Sequence, residues 1–224
     1  MPELWFVRHA QAGKLAGAYD TVSDLGREQS QVLGAFLAKE EQSFDRVARG
    51  SLQRHALTLE ALGSSLPKLP EAEVLPGLNE YDFANLAQAY FVGHPKPADF
   101  DQDRRVFFQT LRKALLAWSR GELPADHLKE SWTDFTGRIA DALAQLTDPA
   151  KGERVLAITS GGTLSMMLAQ VLGLTTEVAV RLNLQTKNTS ITRLIFTGRA
   201  LYLHSFNGAP HLEQPAQRHL ITYS

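Results

Sequence analysis

An adjacent arginine and histidine, Arg8-His9, close the first apolar run of the chain. The run from Leu4 to Val7 has the apolar, aromatic and β-branched composition of a fully buried strand. Open α/β sheets bind their ligands at the carboxyl ends of the strands, so the pair stands where ligand chemistry is expected. An imidazole there can act as a nucleophile, and a guanidinium beside it can bind a phosphate through two parallel hydrogen bonds. Arg54-His55 and Arg218-His219 repeat the dipeptide, and only its position after a buried strand distinguishes Arg8-His9.

Three more groups of polar residues stand at or just past the end of a predicted strand. Ser51 to Arg54 follow the second strand, and Glu80 lies in the loop after the third. Ser160-Gly161-Gly162 follow the clearest strand pattern, Arg154 to Thr159. Arg54 and Thr58 are four positions apart and share one helix face, which favours an Arg54 that faces the site.

Strands and helices alternate along most of the chain, which indicates a sheet flanked by helices. The patterns predict strands over 4–7, 44–48, 74–75 and 154–159, and a hairpin from 190–196 and 200–206. They predict helices that begin at Ser23 or Asp24, at 52 and after 160. Residues 83–150 differ, because they hold two helical segments, 101–119 and 128–147, and no convincing strand pattern. We expect a single domain over 1–224, with a helical insertion at 83–150.

Composition narrows the classes of partner and compartment. The chain has 224 residues, a net charge of −1 and no block of lysine or arginine, so nucleic acid and anionic membrane surfaces are poor candidate partners. It has no cysteine, which excludes disulfides and thiolate zinc sites. The sequence contains no apolar stretch of membrane-spanning length and no basic N-terminal region followed by an apolar core. We therefore expect a cytoplasmic protein without a signal peptide.

Several segments match, in chain order, the signature of one enzyme family. Val7-Arg8-His9-Ala10 fits an Arg-His-Gly/Ala signature after a first strand, and Val22 to Gln29 fits a Leu-Thr-x-x-Gly-x-x-Gln helix start. Ser51 to Thr58 fits Ser-x-Leu-x-Arg-x-x-x-Thr with one residue fewer. The remaining matches are Leu78-Asn79-Glu80, Glu130-Ser131 with Arg138, Asn188 to Leu194, and His211-Leu212. In these residues the chain resembles the histidine phosphatase superfamily, also called phosphoglycerate mutase-like.

The resemblance implies an α/β three-layer sandwich with a mostly parallel central sheet flanked by helices, and a helical insertion over the site. It implies that His9 attacks phosphorus and carries a phosphohistidine, with its other ring nitrogen donating to a backbone carbonyl. Arg8 and Arg54 would bind the phosphoryl oxygens, and Glu80 would protonate the leaving oxygen and then activate water. The implied ligand is a small phosphorylated molecule or inorganic phosphate, and neither a metal ion nor another cofactor is expected.

One position departs from the family pattern, which has a second histidine before a glycine where this chain has Ser160-Gly161. Serine can donate one hydrogen bond but brings no charge, and loss of one preorganised stabiliser costs on the order of 10²–10³ in rate. The N–H groups of Gly161 and Gly162 still lie at a helix N-terminus suited to an anion, so both Ser160 and Gly161 are candidate phosphate-binding residues. Ser160 is also a candidate N-cap for the helix that follows. The sequence thus predicts a phosphomonoester hydrolase of weakened activity or, alternatively, a catalytically impaired phosphate-binding or scaffold protein of the same fold.

Other interpretations fit less well. An esterase with Ser160 as nucleophile would require Gly-x-Ser-x-Gly, but Ile158 occupies the first glycine position. A nucleotide-binding loop would require a lysine after the glycines. A mutase would require longer substrate-reading motifs. His55 points about 100° away from Arg54 around the helix, so we expect it to be structural or exposed.

Overall fold

The computed structural model describes residues 1–13, 20–66 and 68–223. Within these ranges six strands form one sheet in the order β3-β2-β4-β1-β5-β6. The strands are β1 (Glu3–Arg8), β2 (Arg46–Arg49), β3 (Ala72–Val74), β4 (Arg154–Thr159), β5 (Ile191–Phe196) and β6 (Leu201–Gly208). Pairing is parallel from β3 to β1, and β5 and β6 add an antiparallel hairpin. The predicted α/β fold with a mostly parallel sheet is confirmed.

Seven α-helices accompany the sheet in the described part of the chain. They are α1 (Asp24–Lys39), α2 (Gln53–Gly63), α3 (Phe83–Gly93), α4 (Arg104–Ser119), α5 (Trp132–Leu146), α6 (Gly161–Leu172) and α7 (Thr176–Gln185). The sequence patterns did not predict α3 or α7. Both are short, and α3 has partly buried Phe83 and Phe91 beside its buried face, so its apolar residues do not form one narrow stripe.

Alternate residues of β1 divide the core into two layers. Trp5 and Val7 pack in a cluster with Leu33 and Leu37 of α1 and with α2 residues. Leu4 and Phe6 face the opposite side, where buried residues from α3 to α7 cover the sheet. Burial on both faces explains why this strand is a continuous apolar run.

The register of the parallel strands brings the candidate residues to one edge of the sheet. Arg8 pairs with Thr159, and Ile158 pairs with Arg49. The residues that follow these strands, among them His9 and Ser160, therefore leave the sheet side by side. The polar loop expected at 11–22 lies in part outside the described residues, at 14–19, and is bridged where Ala12 pairs with Val22.

Candidate active site

His9 is held in a defined orientation directly after β1. Its ring is almost completely buried, and Nδ1 lies 2.8 Å from the Ala10 carbonyl oxygen. A carbonyl can only accept, so Nδ1 carries the proton and Nε2 keeps its lone pair, as expected for a nucleophile. Burial, followed by the charges of Arg54 and Arg8 and by His55, holds the pKa of His9 well below its usual value. The His9 ring is therefore neutral at a pH where phosphate monoesters carry two negative charges.

Two buried arginines act on this imidazole from different elements. Arg8, the last residue of β1, donates from Nη1 to the carbonyl oxygens of Thr186 and, at 3.3 Å, Tyr223. Arg54, in the first turn of α2, donates from Nη1 to Asp20 Oδ1 at 3.0 Å. Asp20 is half-exposed and also accepts from the Gln53 N–H at 3.0 Å, so it fixes both the helix start and the guanidinium.

Glu80 lies close enough to Arg54 and Arg8 for their charges to act on its carboxyl. Its Oε2 accepts the Gly162 N–H at 2.9 Å, and Oε1 accepts the Tyr81 N–H at 3.3 Å. Burial raises the pKa of Glu80, although the Gly162 hydrogen bond and the charges of Arg54 and Arg8 oppose the rise. A carboxyl with a raised pKa and two arginines nearby suits proton donation to a departing oxygen.

The start of α6 differs from the predicted arrangement in two ways. The Gly162 N–H binds the Glu80 carboxylate, because a carboxylate is itself an anion suited to a helix N-terminus. Ser160 occupies the N-cap position, yet within the described residues its side chain makes no capping hydrogen bond. Gly161 lets two side chains pack on the backbone, since a Cβ there would lie 2.6 Å from Asn183 Oδ1 and 3.3 Å from Arg8 Nε.

His55 is neither exposed nor apart from the site. It is fully buried, its Nε2 lies 2.8 Å from Ser160 Oγ, and its ring centroid lies 5.7 Å from that of His9. The turn of about 100° from Arg54 points it toward α6 and not toward solvent. The feature of the sequence that could have linked His55 to the site was its position next to Arg54, the arginine of the matched motif.

A set of buried polar side chains anchors the loop that carries His9. Asn188 donates from Nδ2 to the His9 carbonyl oxygen at 3.0 Å. Thr58 Oγ1 accepts the Ala10 N–H at 3.0 Å and donates to the Arg54 carbonyl oxygen at 2.7 Å. The Thr58 hydroxyl thus links the backbone beside His9 to the backbone of Arg54.

A separate ion pair supports the segment that leads to Glu80. Arg138 donates to the carbonyl oxygens of Gly77 at 3.1 Å and Asn79 at 2.8 Å. Glu130 holds the same guanidinium through an ion pair of 2.5 Å. Glu130 and Arg138, which the sequence motif singled out, therefore lie where they position Glu80 through the backbone.

A cavity of about 190 Å³ opens beside Arg8 and Glu80. Most of its wall is aromatic or aliphatic, and α3 and α4 contribute a large share of it. The lining residues are Arg8, Glu80, Tyr81, Phe83, Phe107, Phe108, Leu111, Asn183, Leu184 and Tyr223. The first two helices of the 83–150 region therefore border the site, whereas α5 packs on α6 and in the core.

Neither a cluster of metal ligands nor a membrane-spanning helix occurs among the described residues. In the ranges that the structure describes, no three or more His, Asp or Glu side chains cluster as a metal site would require. Over the same ranges, no helix combines the length and the apolar character that crossing a bilayer demands.

Comparisons with known proteins agree with this architecture. A family model for the histidine phosphatase superfamily (branch 1) matches residues 4–208. A mutant phosphoserine phosphatase from Entamoeba histolytica, solved with phosphoserine, is 20% identical with a TM-score of 0.64, covering 95% of this chain and 100% of that one. The alpha-ribazole phosphatase from Shigella flexneri is 20% identical with a TM-score of 0.64, covering 92% and 96%.

A phosphoglycerate mutase from Bacillus anthracis is 17% identical with a TM-score of 0.64, covering 94% of each chain. A comparison with curated proteins finds no match. At these identities the solved structures establish the fold, whereas an activity has to be argued from the site itself.

Proposed function

Because the chain belongs to branch 1 of the histidine phosphatase superfamily, we propose that it hydrolyses phosphomonoesters of a small molecule through a phosphohistidine on His9. The observation that carries this proposal is the convergence of His9, Arg8, Arg54 and the Glu80 carboxyl at one edge of the sheet. Two guanidinium groups, one neutral imidazole and one acid are the groups needed to bind and transfer a tetrahedral dianion.

In the first step, His9 Nε2 attacks phosphorus while the bond from phosphorus to the ester oxygen breaks. The Nδ1 proton stays directed at the Ala10 carbonyl oxygen, which keeps the ring aligned throughout. Glu80 gives its proton to the departing oxygen, so that a neutral alcohol leaves. Arg8 and Arg54 stabilise the negative charge on the three remaining phosphoryl oxygens.

In the second step, water attacks the phosphorus of the phosphohistidine. The Glu80 carboxylate accepts a proton from this water, and the bond from phosphorus to Nε2 breaks. Inorganic phosphate leaves, His9 is again neutral, and Glu80 is again a carboxylic acid. One acid therefore serves both half-reactions.

The alcohol part of the ester would occupy the cavity beside Arg8 and Glu80. Phe83, Phe107 and Phe108 give that cavity an apolar wall. Aromatic rings in such a wall favour an aromatic or aliphatic leaving group over a charged one. Aryl and benzyl phosphates are accordingly suitable probes.

Hydrolysis of p-nitrophenyl phosphate by the wild type and by His9→Ala tests the proposal. We expect measurable turnover that falls by about 10³ or more when the nucleophile is removed. Mass spectrometry after alkaline quenching should locate a phosphoryl group on His9. His204→Ala, the same change at an exposed histidine of β6, is the matched control and should retain activity.

The alternative, a phosphate-binding protein of the same fold, gives a different result. It predicts binding of inorganic phosphate in calorimetry without turnover of any ester. Activity that persists in His9→Ala, or a phosphoryl group found on another residue, would contradict the phosphohistidine step.

A further inference from the structure

The imidazole of His55 and the hydroxyl of Ser160 form a buried polar pair next to the proposed nucleophile. Both residues are 0% exposed, and Nε2 lies 2.8 Å from Oγ. The His55 ring lies 5.7 Å from the His9 ring, centroid to centroid, with planes inclined by 34°. A buried polar pair costs desolvation that an apolar pair would avoid, so its presence here calls for a role.

The Ser160 side chain does not make the capping hydrogen bond that its position before α6 would ordinarily provide. Ser160 precedes α6, where serine commonly accepts an N–H of the first turn, but in the described residues its side chain caps nothing. The hydroxyl is instead committed to His55, which comes from a different helix 105 positions earlier. The serine is therefore held by a distant imidazole and not by its own helix.

The surroundings of Nδ1 decide which way the hydrogen bond runs. A Cβ on Gly50 would lie closer than 3.0 Å to Nδ1, so backbone packs directly against that nitrogen. Among the residues that the structure describes, Nδ1 has no hydrogen-bond partner. A proton on Nδ1 would be a buried donor without an acceptor, whereas a proton on Nε2 can be donated to Ser160 Oγ. The His55 Nε2–H is thus the donor.

This direction leaves the Ser160 hydroxyl with a proton to donate. The register of β1 with β4 places His9 and Ser160 side by side where the two strands end, and adjacent strands lie about 4.8 Å apart. A phosphoryl group on His9 Nε2 would present acceptor oxygens to that proton. The pair would add a neutral donor to a site that already holds the charges of Arg8 and Arg54.

We propose that His55 is a positioning residue that orients the Ser160 hydroxyl as a hydrogen-bond donor to the transferring phosphoryl group. This role rests on the proposed hydrolysis and involves only the side chains of His55 and Ser160. The sequence resemblance implies a histidine at position 160; here an imidazole from α2 contacts the serine that occupies that position. The two residues should therefore act as one unit.

A double-mutant cycle tests the unit directly. We expect Ser160→Ala and His55→Phe each to lower kcat for p-nitrophenyl phosphate by about 10² with a smaller change in KM, as for loss of one preorganised donor. The double variant should be no slower than the slower single variant, because the second change removes nothing further. His55→Gln, which can still donate to Ser160, should restore most of the rate.

Moving the imidazole from position 55 to position 160 provides a gain-of-function test. Ser160→His alone should be slower than the wild type, because His55 occupies the space that the new imidazole needs. Ser160→His combined with His55→Ala should be faster than Ser160→His alone. His211→Gln is the matched control, since His211 is a buried histidine 3.0 Å from the hydroxyl of Thr189, outside the site. Unfolding midpoints of all variants separate loss of fold from loss of rate.

Several outcomes would overturn the inference. Effects of His55→Phe and Ser160→Ala that multiply in the double variant would show two independent residues. A folded His55→Phe with undiminished kcat would show that the imidazole only fills space. If the wild type itself is inactive, the proposed function fails, and calorimetry with inorganic phosphate still decides the inference: equal affinity of the wild type and Ser160→Ala would refute it.

Discussion

Replacing Glu80 with glutamine removes proton donation while keeping the shape of the side chain and one of its acceptor oxygens. Glutamine has nearly the same shape, and its carbonyl oxygen can still accept the Gly162 N–H that Glu80 accepts at 2.9 Å. Because burial raises the pKa of Glu80, the charged carboxylate is less favourable in the folded protein than in the unfolded chain. The neutral amide should therefore leave the free energy of unfolding at neutral pH unchanged or slightly higher.

The size of the kinetic effect depends on the leaving group. General acid catalysis contributes about 10²–10⁴ where an alkoxide would otherwise depart, and far less for p-nitrophenolate, which departs without a proton. We expect Glu80→Gln to lose about 10²–10⁴ in kcat/KM with benzyl phosphate and less than about tenfold with p-nitrophenyl phosphate. Because kcat/KM reports the steps up to formation of the phosphohistidine, slower dephosphorylation does not obscure the comparison.

The pH profile supplies a second readout of the same variant. Wild-type kcat/KM for benzyl phosphate should fall on the alkaline side as Glu80 loses its proton, at a pH above the usual glutamate range. Glu80→Gln should lack that alkaline limb. Glu71→Gln, at an exposed glutamate before β3, is the matched control. Equal losses with both substrates would refute the assignment of Glu80 as the acid.

Three further predictions concern other parts of the chain. Gly162→Ala should lower kcat/KM for benzyl phosphate by about tenfold or more, because its Cβ would lie closer than 3.0 Å to Glu80 Oε1; an unchanged rate would contradict the placement of the carboxyl. Gly137→Ala, exposed in α5 with nothing within 4 Å of the added Cβ among the described residues, should raise stability by about 0.5–1 kcal/mol in urea unfolding. Burial lowers the pKa of His211 from 6.5 to about 3, so between these pH values the unfolded chain binds a proton that the folded protein does not. The free energy of unfolding therefore decreases as the pH is lowered through this range. His211→Gln should remove up to about 1.4 kcal/mol per pH unit from that slope, measured from urea midpoints at several pH values.

The sequence predicted the elements whose patterns are local. β1, β4 and the hairpin of β5 and β6 are apolar or β-branched runs with turn residues beside them. Helix α1 is capped by Ser23, whose hydroxyl accepts the Gly26 N–H at 3.0 Å. The ends of the parallel strands then had to meet at one edge, which is why Arg8, His9 and Arg54 could be placed together. The roles of these residues stay predictions until activity is measured.

Contacts between distant parts of the chain were beyond local patterns. Asn188 holds the His9 carbonyl from 179 positions away, and no spacing rule connects them. Asp20 accepts from Arg54 across 34 positions of the chain, and no local pattern links the two residues. The partner of His55 depends on how α2 and α6 face each other, so helical geometry gave its direction but not its burial.

The central place of β1 in the sheet has a consequence for the synthesis of the protein. This strand is translated before the other strands of the sheet, yet its neighbours β4 and β5 begin at Arg154 and Ile191. At about 5–20 residues per second, Leu4 to Val7 wait roughly 8–30 s before β4 is translated. During that time both edges of an apolar, aromatic segment lack their native partners, so folding must be largely completed after translation. The apolar segment that leads to His9 is therefore a candidate target for chaperones that bind extended apolar peptides.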